Sequence, residues 1–189
     1  MPIGPITLQT DRLSLRPFEL DDLDDFHRYH NDEIFSELID VPYPYSRHDA
    51  ERSLRGVLNL SWDQAPFIAL VLEGVVIGHV DLEIGNGALG EKRPGVADLS
   101  YYLARPYWGQ GFVPEACRAV IDYAFPAYDL VKLTAFTRAE NRPSWRVMEK
   151  LGMKREGLLR QHEVAGNGQR VDQIIYGLLR EEWEAQLNK

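Results

Sequence analysis

The segment "SYYLARPYWGQGFVPEACRAVIDYAF", residues 100–125, constrains the fold more than any other part of the chain. An apolar run with strand character ends at "WGQG", and a helix-patterned stretch follows at once. A strand, a sharp turn and a helix must therefore succeed one another without a linker. Gly109 and Gly111 lack a Cβ, so the backbone can bend tightly there and its N–H groups can converge on a ligand. The helix beginning near Val113 adds unpaired first-turn N–H groups and the positive end of its dipole. Pro114 and Glu115 suit that first turn, where proline gives up a donor with no intrahelical partner. The junction is suited to a phosphate or pyrophosphate, although a turn that merely needs glycine looks the same in sequence. Two phosphate-binding patterns are excluded. No Gly-Lys-Ser/Thr follows the glycines as a Walker A loop requires, and Pro114 stands where a dinucleotide fingerprint places its third glycine.

Periodicity assigns the rest of the chain. "RLSLRPF" alternates as a first strand, and "ELDDLDDFHRYH" is a helix with Asp21 and Asp22 in its first turn. "YPYSRHDAERSLRGVLN" is a second helix with Ser46 as N-cap. "FIALVLEGVVIGHVDLEI" is a hairpin around Glu73-Gly74, and "GVADLSYYLA" a further strand. After the helix "EACRAVIDYAF", stopped by Pro126, come the strand "VKLTAFT" and the short helix "SWRVMEKLG", with Gly152 just past its end. "REGLLRQHEV" and "VDQIIYGLL" form a last hairpin around Gly166-Asn167-Gly168. The expected order is β, α, α, β-hairpin, β, α, β, α, β-hairpin, a mixed α/β or α+β sheet with helices against it.

The chain has 189 residues, a length that suits one domain spanning residues 1–189. Twenty-one Lys and Arg against 29 Asp and Glu give a net charge of −8, which argues against a nucleic-acid surface and favours cationic partners. The tryptophans form no stacking platform among basic residues. One cysteine, Cys117, cannot make an internal disulfide or a Cys-rich zinc site and reads as a small core residue. No apolar run approaches the ~20 residues that span a bilayer, and the N-terminus lacks a signal-peptide core. A cytoplasmic location without membrane association is expected.

Smaller constellations carry less. His27 and His30 share a helical face and read as the polar border of an amphipathic helix rather than a metal site. His79, Asp81 and Glu83 share one strand face, with Val80, Leu82 and Ile84 on the core side. That polar row is either a cation-attracting groove or a solvated strand face. No third ligand accompanies His79 and Asp81, so no metal is expected.

Four motifs occur in order: "TDRLSLRP", "WGQGFVPEA", "NRPSWRVMEKLGM" and "EGLLR". Together they resemble the GCN5-related N-acetyltransferases, the GNAT superfamily, and within it the RimJ/RimL group of ribosomal-protein N-terminal acetyltransferases. The resemblance covers nearly the whole chain. It implies a GNAT-type fold, a V-shaped mixed sheet flanked by helices, with acetyl-CoA as cosubstrate in the split between the fourth and fifth strands. Carried over, Gly109, Gln110, Gly111, Phe112 and Val113 would cradle the pyrophosphate with backbone N–H groups. Leu103, Ala104 and Arg105 would pair main chain with the pantetheine arm, Asn141 would bond the same arm, and Ser144 would lie near the thiol. Pro106 departs from the pattern, where Gln or Arg is common, and removes a side-chain contact to phosphate. Lys150 can approach the phosphates or simply be solvated.

The reaction so implied is attack of a neutral amine on the thioester in a ternary complex, with proton transfer from the amine and to the thiolate. Ser144 is the candidate general acid, with a helix first-turn serine as the competing role. Asp98, where the family commonly has an acidic residue, and Glu83 are candidate bases. The acceptor is expected to be a cationic amine, either small or a peptide N-terminus, selected by loops 34–47 and 86–94. A homodimer is compatible with the reading. A non-catalytic acyl-CoA-binding module on the same fold is the alternative.

Overall fold

The computed structural model describes residues 3–39, 41, 43–86, 92–165 and 168–188. Its strands are β1 (Leu8–Gln9), β2 (Ser14–Pro17), β3 (Phe67–Leu72), β4 (Val75–Asn86), β5 (Lys92–Leu103), β6 (Lys132–Arg138), β7 (Lys154–Val164) and β8 (Arg170–Leu179). Its helices are α1 (Leu23–His30), α2 (Glu33–Ile39), α3 (Arg47–Leu58), α4 (Phe112–Ala127), α5 (Arg142–Lys150) and α6 (Arg180–Leu187). The strands form one sheet in the order β1-β2-β3-β4-β5-β6-β8-β7. All neighbours are antiparallel except β5 and β6.

The mixed sheet expected from sequence is present, and the local signals explain its elements. Glu73 and Gly74 both take positive φ, the two-residue turn that matches strand twist. The Ser46 side chain accepts from the Asp49 N–H and caps α3. Gly152 closes α5 at φ +80°. The Gly166-Asn167-Gly168 turn lies partly outside the described residues. Four features differ from the sequence reading. The short strand β1, helix α2 and helix α6 add to the expected order. Pro126 lies inside α4 rather than ending it, and one more residue stays helical beyond it.

Both faces of the sheet are covered, which explains why β3 reads as an unbroken apolar run instead of an alternation. One core packs α4, α5 and α6 against Ile68, Leu70, Val80, Leu82 and Leu99. The second packs α1 and α3 against Ala69, Val71 and Val76. Gly78 is required at the β4–β5 contact, because a Cβ there would stand 2.2 Å from the Tyr102 carbonyl oxygen.

The sheet opens at one place. β5 and β6 pair only over Val96–Asp98 and Lys132–Thr134. β5 then continues to Leu103 along β4, while β6 continues to Arg138 along β8. Counted without the short β1, these are the fourth and fifth strands. Asp98 pins the closed end: its carboxylate accepts from the Thr134 hydroxyl and takes two bonds from the Arg93 guanidinium at 2.7 and 2.9 Å.

Candidate active site

A cavity of about 450 Å³ occupies the gap, within the range typical of small-ligand sites. Its lining comes from both faces of the sheet, so it runs through the sheet rather than over it. Register decides which side chain reaches which side. Tyr102 pairs with His79 and Ser100 with Asp81, while Tyr101 pairs with Val80. Paired residues of an antiparallel ladder share a face. His79, Asp81, Ser100 and Tyr102 therefore line the α1–α2 side, and Tyr101 lines the α4–α5 side with Asn141, Ser144 and Met148.

The strand edge itself is a source of donors. The Ala104 N–H bonds the Ile77 carbonyl of β4 at 2.8 Å, so by alternation the backbone groups of Leu99, Tyr101 and Leu103 point away from β4, into the split. The Leu103 carbonyl is taken by the Trp108 indole N–H at 2.6 Å. Of the three residues expected to meet a pantetheine arm with main chain, Ala104 is thus turned to β4 and Leu103 offers its N–H. Arg105 lies in a 3₁₀ turn with Pro106, its side chain ion-paired to Asp32 at 2.6 Å.

On the α5 side, Asn141 caps the helix by accepting from the Ser144 N–H at 3.3 Å. The Tyr101 hydroxyl donates to the Ser144 carbonyl at 2.8 Å and lies 3.0 Å from Ser144 Oγ. With the phenol proton committed to that carbonyl, the serine hydroxyl donates to Tyr101 Oη. Burial raises the phenol pKa, so Tyr101 stays protonated. Sequence reasoning missed Tyr101. The signal was present in "SYYL", where adjacent tyrosines on a strand must reach opposite faces.

The opposite side is walled by rings. His79 stacks on Phe67 at 4.4 Å between centroids, Phe35 meets Tyr102 edge-on at 4.2 Å, and His30 lies parallel to His79 at 6.1 Å. Burial lowers His30 to about 4 and drives His79 well below its usual value, so both imidazoles are neutral at pH 7. His30 is therefore part of the cavity wall and not the polar border of a surface helix. His79 Nδ1 lies 3.1 Å from the Tyr29 hydroxyl. When that nitrogen accepts the phenol proton, Nε2 carries the ring hydrogen and faces Asp81 Oδ1 at 3.7 Å. Burial, reinforced by the negative charge of Glu83, raises Asp81 to about 7. The other charges in the lining are Arg138 and Glu163, and they pair with each other at 2.7 Å.

Both sequence-derived base candidates are placed elsewhere. Asp98 does not line the cavity, because its carboxylate is consumed at the closed end of the split by Arg93 and Thr134. Glu83 is exposed, one strand step beyond the cavity wall. The polar row His79-Asp81-Glu83 does share a face, yet only its first two members reach the cavity.

At the end of β5 the chain enters the glycine turn. Gly109 and Gly111 have φ of +74° and +83°, and Gly111 is the N-cap of α4. Among the described residues no acceptor is bonded to the N–H groups of Gly109, Gln110 and Gly111. The turn is tied to the N-terminal motif. Arg12 donates to the Gln110 carbonyl at 2.9 Å, pairs with Glu115 at 2.6 Å and lies 4.2 Å over the Phe112 ring. Glu115 also accepts from the Thr10 hydroxyl at 2.5 Å and the Arg12 N–H at 3.0 Å. Burial pushes its carboxyl up, but these bonds outweigh it and hold the group below its usual range. Two segments a hundred residues apart in sequence thus form one unit. Cys117 is fully buried in the core behind the turn, which raises its thiol far above the reactive range.

A family model described as an acetyltransferase (GNAT) domain matches residues 12–154. The N-acetyltransferase p20 of Bacillus licheniformis, itself uncharacterized, is 31% identical over 94% of this chain and 98% of its own. An acetyltransferase of the GNAT family from Bacillus anthracis superposes with a TM-score of 0.79 at 25% identity, covering 94% of this chain and 100% of that one. Mycobacterium smegmatis RimJ, solved with CoA-disulfide, has the same fold at a TM-score of 0.82 and 20% identity, covering 95% and 91%. The split sheet, the cavity through it and the clamped glycine turn thus coincide with a match over most of the chain, and this protein belongs to the GNAT family of N-acetyltransferases.

Proposed function

We propose that the chain uses acetyl-CoA as cosubstrate and transfers its acetyl group to a primary amine by direct attack in a ternary complex. The observation that carries this reading is the cavity through the β5–β6 split. Its lining comes from both faces of the sheet and meets at the split, so two reactants can be brought together there without a covalent carrier on the protein. Unbonded N–H groups at Gly109 to Gly111, backed by the start of α4, fit a pyrophosphate. Gln110 contributes backbone there, since its side chain donates to the Pro106 carbonyl at 3.1 Å. Phe112 and Val113 open α4 and supply its first-turn N–H groups. The free edge of β5, with Asn141 across the gap, fits an extended amide-bearing arm by strand-like pairing. The Tyr101 and Leu103 N–H groups can polarise a thioester oxygen in the split.

In this reading Ser144, hydrogen-bonded to Tyr101, protonates the departing thiolate. Its helix-start position does not compete with this role, because Asn141 performs the capping. RimJ's structure with CoA-disulfide supports the cosubstrate reading through its shared fold. Isothermal titration calorimetry with CoA, followed by free-thiol release from acetyl-CoA in the presence of primary amines, tests the proposal. Absence of CoA binding would refute it.

A further inference from the structure

We propose that the acceptor is a primary amine carried on an apolar, ring-bearing body, and that its ammonium docks on and gives its proton to Asp81. The inference rests on the acetyltransfer reading above and names the substrate class of that same site. Three observations carry it. The α1–α2 side of the cavity is built from the rings of Phe35, Phe67, Tyr102, His30 and His79, which suit a flat apolar group. Asp81 lines that box, its side chain is 24% exposed, and its closest partner is the neutral His79 at 3.7 Å. Among the described lining residues no second carboxylate is available to a distant ammonium, because Glu163 is held by Arg138. A polyamine would therefore leave its further charges against rings. The net charge of −8 attracts any cation, but the box selects among them.

The groups facing Asp81 are His79 on its own strand, Ser100 and Tyr102 from β5, His30 and Tyr29 from α1, and Glu83 two residues along. None is a fixed cation, so the carboxylate's ion partner has to be brought by the substrate. A carboxyl raised by burial titrates close to neutrality and so can accept a proton that an ordinary aspartate would refuse. The step balances as follows. The ammonium gives one proton to Asp81, and the freed nitrogen pair forms the C–N bond at the thioester carbonyl. As the C–S bond breaks, the sulfur pair takes the Ser144 proton, the serine oxygen regains a proton from the nitrogen's second N–H, and Asp81 returns its own to solvent. The products are the N-acetyl amine, the free thiol of CoA and one proton released to solvent.

The test compares kcat/KM for 2-phenylethylamine, n-butylamine, spermidine and an alanyl-arginyl peptide. Aromatic burial and ring contacts predict a preference for 2-phenylethylamine of about tenfold or more over each of the others. Phe67→Leu, which keeps the apolar bulk and removes the ring, should lower kcat/KM for 2-phenylethylamine about tenfold and change n-butylamine little. Asp81→Asn should lower kcat about 100-fold or more with CoA affinity unchanged. Preference for spermidine or for the peptide, or wild-type kcat in Asp81→Asn, overturns the inference while leaving acetyltransfer standing. Loss of CoA binding in the wild-type protein, by contrast, refutes the acetyltransfer reading itself.

Discussion

Asp81→Asn should make the protein more stable, and the gain should depend on pH. The folded-state carboxyl titrates at about 7 against an ordinary 3.8. The native state therefore holds a proton that the unfolded chain has already released, and stability drains away as pH rises between those two values. Near pH 8 the penalty for the buried carboxylate is about 4 kcal/mol, from roughly three pKa units at 1.36 kcal/mol each. At about pH 5 it is only ~2 kcal/mol, because the native group is still protonated and only the unfolded one has lost its proton. Asparagine has nearly the same shape and no charge, so it removes the penalty at either pH. The advantage of the variant should then grow by about 2–3 kcal/mol across this window, or roughly 5–10 °C in Tm for a domain of this size. Differential scanning calorimetry of both proteins at the two pH values reads it directly. A variant that is less stable near pH 8, or whose advantage does not change with pH, would show that Asp81 is a satisfied structural carboxylate. A residue that costs stability and yet lines the cavity is what a catalytic site asks for.

Five further outcomes are expected. Ser144→Ala should lower kcat by about 10² or more with little change in CoA affinity, and Tyr101→Phe should lower it less, because the serine hydroxyl loses its hydrogen-bonding partner but remains in place; steady-state kinetics with calorimetry separates the two. Gly111→Ala forces a Cβ into φ +83° and should cost roughly 1–2 kcal/mol of stability as well as CoA affinity, read by thermal melts and titration. Arg12→Ala should raise the CoA dissociation constant about threefold to tenfold, a modest effect because its side chain is 43% exposed. Asp98→Ala removes the acceptor of the buried Thr134 hydroxyl and of two Arg93 bonds at the closed end of the split and should destabilise the fold by about 2–4 kcal/mol, with CoA affinity following the folded fraction; a selective loss of kcat in a well-folded variant would reverse this assignment.

Elements with strong local signals were legible in sequence: the Glu73-Gly74 turn, the Ser46 cap, the strand–glycine–helix junction and the Gly152 stop. Helix α2 was not, because its seven residues carry too short a periodic pattern and its stability comes from Phe35 packed among Tyr29, His30 and Tyr102. Helix α6 was hidden for a related reason. It holds on through Trp183, which stacks on Phe125 at 4.8 Å and donates to Asp122 at 2.7 Å, both remote in sequence. Pro126 does not end α4, because it gives up only its own ladder bond and the Tyr128 N–H donates to the Ala124 carbonyl at 3.0 Å to close the helix beyond it.

The site shows a sharper boundary between what one strand can reveal and what needs two. Alternation correctly placed His79, Asp81 and Glu83 on one face, but a solvated face and a cavity wall have identical periodicity. What separates them is register: Asp81 sits opposite Phe67 and Ser100, beneath the rings, whereas Glu83 sits opposite Asp98 at the pinned end of the split. The same register turns Tyr101 toward Ser144 and Tyr102 toward His79. Under the proposed reaction one dipeptide would serve both reactants, with Tyr101 and Ser144 on the thiol side and Tyr102 in a ring wall on the amine side. It can do so only where β5 has lost its neighbour, because a paired β6 would close the gap between the two faces. Asp98 at the vertex bears on the proposed chemistry without touching substrate, by fixing where the sheet opens.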